Sequence, residues 1–218
     1  MIIEYYINSI DEKEIDIKNN IDNIIQFPIS GILSSISHVK FLKKKFPNIK
    51  LGCFIDYPIA NSDLERRQDL IQDAINAGSN YIAITIPFFN IINRKYFKFR
   101  DDIKKNLELC TKNNINIRYI LEYRKFDHQL LTKVCEILME NTIDVVYPST
   151  GLFLDNIEDN IIACAYLHEK TGIKTIVNGN IWRKSQIDNL LKIQPYGLSI
   201  NQISSFNLID PSLYDSKI

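Results

Sequence analysis

Residues 117–122 read Ile117-Arg118-Tyr119-Ile120-Leu121-Glu122, and residues 144–147 read Asp144-Val145-Val146-Tyr147. Between these two apolar runs Leu131, Val134 and Leu138 recur at helical spacing. Strand, amphipathic helix, strand is the pattern of a parallel βαβ unit. Reading outward, the same unit recurs along the chain. Further strand candidates begin at Ile2, Gly31, Leu51, Tyr81, Thr175 and Gly197, about eight in all, and further helical stripes include Ile103, Leu107 and Cys110, and Ile157, Ile161 and Cys164. Ser62 with Glu65 and Ser185 with Asp188 fit capping boxes at helix starts, and Gly78 and Gly172 stand where helices should end. An open doubly wound sheet and a closed (β/α)8 TIM barrel both satisfy this alternation. A count near eight, with no glycine-rich phosphate loop after the first strand, favours the barrel.

The composition agrees with one α/β domain spanning 1–218: 45% hydrophobic residues, 24% charged, 7 Gly and 7 Pro. Lys+Arg and Asp+Glu are both 26, giving zero formal charge and a pI near 6.8. That balance supplies no positive field for nucleic acid and no polybasic stretch for a membrane surface. No apolar run is long enough for a membrane span, and the start MIIEYYINSIDEKEID lacks the features of a secretory signal, so the expected location is the cytoplasm. Cys53, Cys110, Cys135 and Cys164 show no CxxC pairing and read as reduced core residues. His38, His128 and His168 have no metal-ligand spacing and read as surface or packing residues, with His128 alone near a candidate site. No metal and no cofactor is expected. Trp182 follows the seventh strand and reads as a packed residue or a roof over the mouth.

In a barrel, alternate strand residues point inward, and the interior is normally filled by bulky branched side chains. Polar residues of inward parity near strand C-termini are therefore the informative ones. The fifth strand offers Arg118, Ile120 and Glu122, with Arg124 beyond; the sixth Val145, Tyr147 and Ser149; the seventh Ile176 and Asn178; the eighth Gly197, Ser199 and Asn201. The fourth contributes only Ala83 and Thr85. On one strand an Arg118–Glu122 contact would be a structural ion pair; on four neighbouring strands, converging polar groups predict a binding site at the C-terminal mouth.

Around that mouth the chain resembles the deoxyribose-phosphate aldolase family. Val145-Val146-Tyr147-Pro148-Ser149-Thr150-Gly151 is similar to its lysine-Thr-Ser-Thr-Gly segment, and Phe54-Ile55-Asp56-Tyr57-Pro58-Ile59 with Asn61 to its Gly-Phe-Pro-Leu-Gly-Ala-Asn stretch. Ile120-Leu121-Glu122 resembles its Ile-Ile-Glu-Thr, Asn178-Gly179-Asn180-Ile181 its glycine turn, and Gly197-Leu198-Ser199 its final Gly-Ala-Ser-Ser. The likeness spans nearly the whole chain in order, each motif being degenerate. It breaks at the chemistry. The family's Schiff-base lysine falls on Tyr147, its second lysine on Ile176 and its acid–base aspartate on Ala83. A phenol cannot form an imine. Lys174 enters the seventh strand at the wrong end, and Lys125 lies in a solvated loop.

What the resemblance still implies is a cradle for a small phosphorylated carbonyl or sugar metabolite, built from Ser149, Thr150, Gly151, Asn178, Gly179, Gly197 and Ser199 with Arg124, and a homodimer. For catalysis without an imine, the expected groups are Glu122 as acid–base, Arg118 or Arg124 setting its protonation, and Tyr147 donating to a carbonyl or oxyanion. The competing expectation is a non-catalytic descendant that senses a ligand or scaffolds a partner.

Overall fold

The computed structural model describes residues 1–8, 13–153 and 156–214. Its strands are β1 (Ile2–Tyr6), β2 (Gly31–Ser34), β3 (Leu51–Ile55), β4 (Tyr81–Thr85), β5 (Asn116–Ile120), β6 (Val145–Tyr147), β7 (Lys174–Asn178) and β8 (Gly197–Ile200). All eight are parallel and each pairs with its sequence neighbours; β8 returns to β1 with Ser199 opposite Glu4, which closes the barrel. The outer layer comprises α1 (Glu14–Ile24), α2 (Ile36–Lys45), α3 (Leu64–Asn76), α4 (Phe88–Ile92), α5 (Tyr96–Lys112), α6 (His128–Glu140), α7 (Ile157–Thr171), α8 (Lys184–Lys192) and α9 (Ile203–Phe206). The (β/α)8 TIM barrel read from the alternating pattern is the architecture found.

Alternation along each strand sorts side chains into two cores. Outward residues such as Ile3, Ile32, Ile82, Tyr119, Val146, Val177 and Leu198 join the helix stripes in one Ile- and Leu-rich shell. Inward residues Tyr6, Leu33, Tyr81, Ala83, Ile120, Tyr147 and Ile176 form a second, smaller cluster in the lumen. That lumen carries three tyrosines where branched aliphatics are usual. Glycine makes room for one of them: a Cβ on Gly52 would lie 2.3 Å from Tyr81 Cε2.

Helix ends show where local signals hold. Gly172 ends α7 in the left-handed conformation at φ 73°, and Gly78 follows α3 at φ 94°, as expected. The two predicted capping boxes are displaced. Asp63 caps α3 by accepting from Arg66 N at 2.9 Å, because the Ser62 N–H is turned toward the Asp56 carboxylate. At α8, Gln186 reaches back to the N–H groups of Trp182 and Arg183, so Ser185 lies inside the first turn. The fifth strand stops at Ile120, two residues short of its apolar run, because Glu122 turns left-handed at φ 49° and opens a 3-10 turn over Tyr123–Lys125.

Candidate active site and mouth cleft

The lumen is organised by a residue that parity on β5 to β8 does not reveal. Glu4, from β1, is buried and its carboxylate accepts from Tyr147 Oη at 2.5 Å, Tyr81 Oη at 3.0 Å and Arg118 Nη1 at 3.0 Å. Arg118 Nη1 also donates to Tyr147 Oη at 2.8 Å, and its guanidinium lies over the Tyr81 ring at 4.4 Å. The network is fully intramolecular, and burial pushes the Tyr81 and Tyr147 phenols well above their usual range. The sequence-predicted partnership of Arg118 with Glu122 does not form: Arg118 pairs with Glu4. Arg124 likewise pairs with Asp159 at 2.8 Å, on the rim.

Glu122 is buried and holds the next loop. Its carboxylate accepts from Thr150 N at 2.9 Å and Thr150 Oγ1 at 2.6 Å. Tyr57 Oη reaches from the β3–α3 loop to Thr150 O at 2.6 Å, and Gly151, at φ 74°, sits where a Cβ would come within 2.8 Å of Tyr6 Oη. Beside it, Asn178 Nδ2 donates to Ser149 Oγ and O, while Asn160 Nδ2 donates to Asn178 O. The Gly179 N–H is bonded to Ser199 O at 3.1 Å. Thus Ser149, Thr150, Asn178, Gly179 and Ser199 do converge, but the Thr150 and Gly179 amides expected to cradle an anion already have partners. Gly197 is not at the mouth: it opens β8 at the strand's N-terminal end, against Ile2 and Ile176. Asn178 Oδ1 and Asn160 Oδ1 are buried acceptors without a partner among the described residues.

Ala83 and Ile176 join Tyr147 in the lumen cluster. Among the described residues no lysine is buried. Lys174 is the first residue of β7, exposed and paired with Asp144 at 2.6 Å; Lys125 lies over the Phe153 ring.

Open space lies on the other side of the mouth. A cleft of about 700 Å³ is lined by Asn8, Ser35, Ser37, His38, Phe54 and Asn61, among others, where the β1, β2 and β3 loops meet. Its size is that of a small-molecule site. His38 Nδ1 lies 2.8 Å from Ser34 Oγ, and burial lowers the imidazole pKa, so the ring enters the cleft neutral near pH 7. Arg67 supports the cleft's far wall. Fully buried, it binds Asp56 at 2.7 Å, Asp102 at 2.8 Å and Thr85 O at 2.9 Å, tying the β3 loop to β4 and α5. Burial works against its cation, but the two carboxylates keep it charged.

Strand parity does not single out Glu4, His38 or Arg67. Glu4 is legible as the lone charge in Ile2-Ile3-Glu4-Tyr5-Tyr6, although the inward parity of the fourth to eighth strands does not reach it. His38 lines the cleft, whereas His128 and His168 are exposed on the outer helices. Trp182 is 61% exposed rather than packed. Arg67 is preceded by Arg66, but only Arg67 shares the helical stripe of Ile71 and Ala74, which buries it while Arg66 stays exposed. All four cysteines are free and buried, and burial pushes their thiols up to about 12. Among the described residues no group of three or more His, Cys, Asp or Glu is placed to hold a metal, and no helix is long and apolar enough to cross a membrane.

No protein-family model matches the chain. Solved structures do. An aldolase designated QR15 superimposes with a TM-score of 0.82 at 15% identity, over 94% of this chain and 91% of the other. A deoxyribose phosphate aldolase from Aeropyrum pernix, described as a tetramer, gives 0.80 at 14% identity, over 99% and 90%. At such identities the likeness speaks for architecture, and the chain has the TIM-barrel fold of the deoxyribose-phosphate aldolases.

Proposed function

We propose that this protein is an aldolase-type barrel without imine chemistry, which binds a small polar metabolite in the mouth cleft between the β1, β2 and β3 loops. The reading is carried by the buried Tyr147–Glu4–Arg118 network, which fills the place where the resemblance puts a reactive amine. A Schiff base needs a primary amine with a free lone pair next to the carbonyl. The lumen instead holds phenols pushed toward their neutral forms and a guanidinium that stays charged. The mixed lining of the cleft suits a ligand with hydroxyl or carbonyl groups: Asn, Ser and His side chains accept as well as donate. A phosphate seated on the β6 and β7 turns fits less well, since the Thr150 and Gly179 amides are engaged.

The test has two arms. Borohydride reduction in the presence of short aldehydes and aldehyde phosphosugars is expected to leave the intact mass unchanged; an adduct on any lysine would overturn the loss of imine chemistry. A thermal-shift panel of sugars, sugar acids and their phosphates is expected to find a stabilising ligand whose effect is lost in His38→Ala.

A second reading has one observation in its favour. Glu122 is a buried, left-handed, non-glycine residue at the strand end where barrels keep catalytic groups, and strained backbone of this kind clusters at working sites. If it is an acid–base group, product formation followed by mass will be abolished by Glu122→Gln. Ligand-induced stabilisation without turnover favours the first reading.

A further inference from the structure

A second cleft, of about 760 Å³, adjoins the mouth cleft, shares Ala60, Asn61 and Ser62 with it, and runs between the start of α3 and the start of α5. Its sides carry Phe89 and Phe97, 67% and 70% exposed, and neither ring packs against another aromatic ring among the described residues. Two large apolar side chains held in water on either side of one concavity mark an interaction site. The charges around it are unequal in what they leave available. Each acid lining the cleft is already engaged: Asp63 caps α3, Asp101 pairs with Lys105 and Asp102 with Arg67. Lys98, on the lining, forms no ion pair among the described residues, and neither does Lys95, which is not on the lining but whose Nζ stands over the Phe89 ring at 4.6 Å.

We infer that this α3–α5 cleft binds a flat aromatic anion, its ring system lying against Phe89 and Phe97 and its acidic group meeting Lys98 or Lys95. Aromatic faces supply stacking area with little loss of side-chain freedom, and a cation beside the ring rewards a negative substituent. Charge selects this occupant over a second copy of the chain. A two-fold contact through the cleft would set its uncompensated cations against their own copies, a like-charge arrangement that costs affinity. The concavity also suits an inserted ring better than it suits a bilayer surface, into which apolar side chains must project.

The probe is 1-anilinonaphthalene-8-sulfonate, a fluorescent aromatic anion, titrated into the 218-residue protein. Saturable one-site enhancement is expected, with affinity falling at least about tenfold in Phe97→Ser and in Lys98→Glu. Both residues line the cleft from its solvent side, so both variants should melt like the parent. Melting is followed in the same samples because the dye also binds loosened cores. Enhancement that is absent, does not saturate or survives both substitutions overturns the inference. So does a concentration-dependent dimer, seen by sedimentation, that Phe97→Ser dissociates, since the face would then be a self-interface. Recruitment to anionic phosphatidylserine vesicles that depends on Phe97, without dye binding in solution, overturns it equally.

Discussion

At the scale of single residues, the lumen turns on Glu4. One carboxylate is shared by two buried phenols and a largely buried guanidinium, so removing any member strands the others in a medium that hydrates them poorly. Glu4→Gln leaves the Arg118 cation without its counter-charge and is expected to destabilise by about 3–5 kcal/mol, as broken buried pairs do. Tyr147→Phe deletes one donor and should cost about 1–3 kcal/mol. The double variant Glu4→Gln, Arg118→Met is expected to lose less than the sum of its single changes, because the uncompensated cation leaves with its partner. Urea unfolding of the four proteins measures this directly. Single variants within error of the parent would mean that water reaches the network and that it is not the lumen's organising feature.

The elements of the barrel are matched in size as well as in order. Tyr81 on β4 needs the missing side chain of Gly52 on β3, its register neighbour. Gly52→Ala is therefore expected to overpack the lumen by about 1–3 kcal/mol, and Tyr81→Leu in the same chain to relieve it. A cycle of the four proteins in urea checks this, and additive losses would contradict it. Loops obey a similar logic. The β3, β5 and β6 loops are tied together through Tyr57–Thr150 and Glu122–Thr150, so the mouth's β6 side is braced while the β1–β3 side stays open. That bracing is why residues expected to cradle a ligand are found holding one another.

For the whole molecule, burial of ionisable groups sets the pH range of stability. Tyr81, Tyr119 and Tyr147 are all held well above the ordinary phenol value of 10.0 by burial. Below that pH the phenols are neutral in both states and their contribution is fully present; above it the unfolded chain ionises first, so stability falls as pH rises. His38 acts in the opposite direction. Its folded pKa lies below the ordinary 6.5 through burial, so its contribution is present above that pH and is lost as pH falls. Urea midpoints measured between about pH 5 and 11 are expected to decline at both ends, and His38→Gln to flatten the acid limb alone. An acid limb unchanged in that variant would place the titrating group elsewhere.

The sequence by itself determined the barrel, because period-2 and period-3.6 apolar patterns are set by which face each element buries, and those patterns are local. It also determined the absence of a lysine at the place where the resemblance puts the imine, since Tyr147, Ile176 and Ala83 are simply the residues there. Only the tertiary structure decided partners. Glu4 meets Tyr147 across 143 positions of chain, Tyr57 meets Thr150 across 93, and Arg67 meets Asp102 across 35. Parity says that a side chain points inward; which inward side chain it meets depends on barrel closure, tilt and the volume left by glycines, and these are properties of all eight strands together.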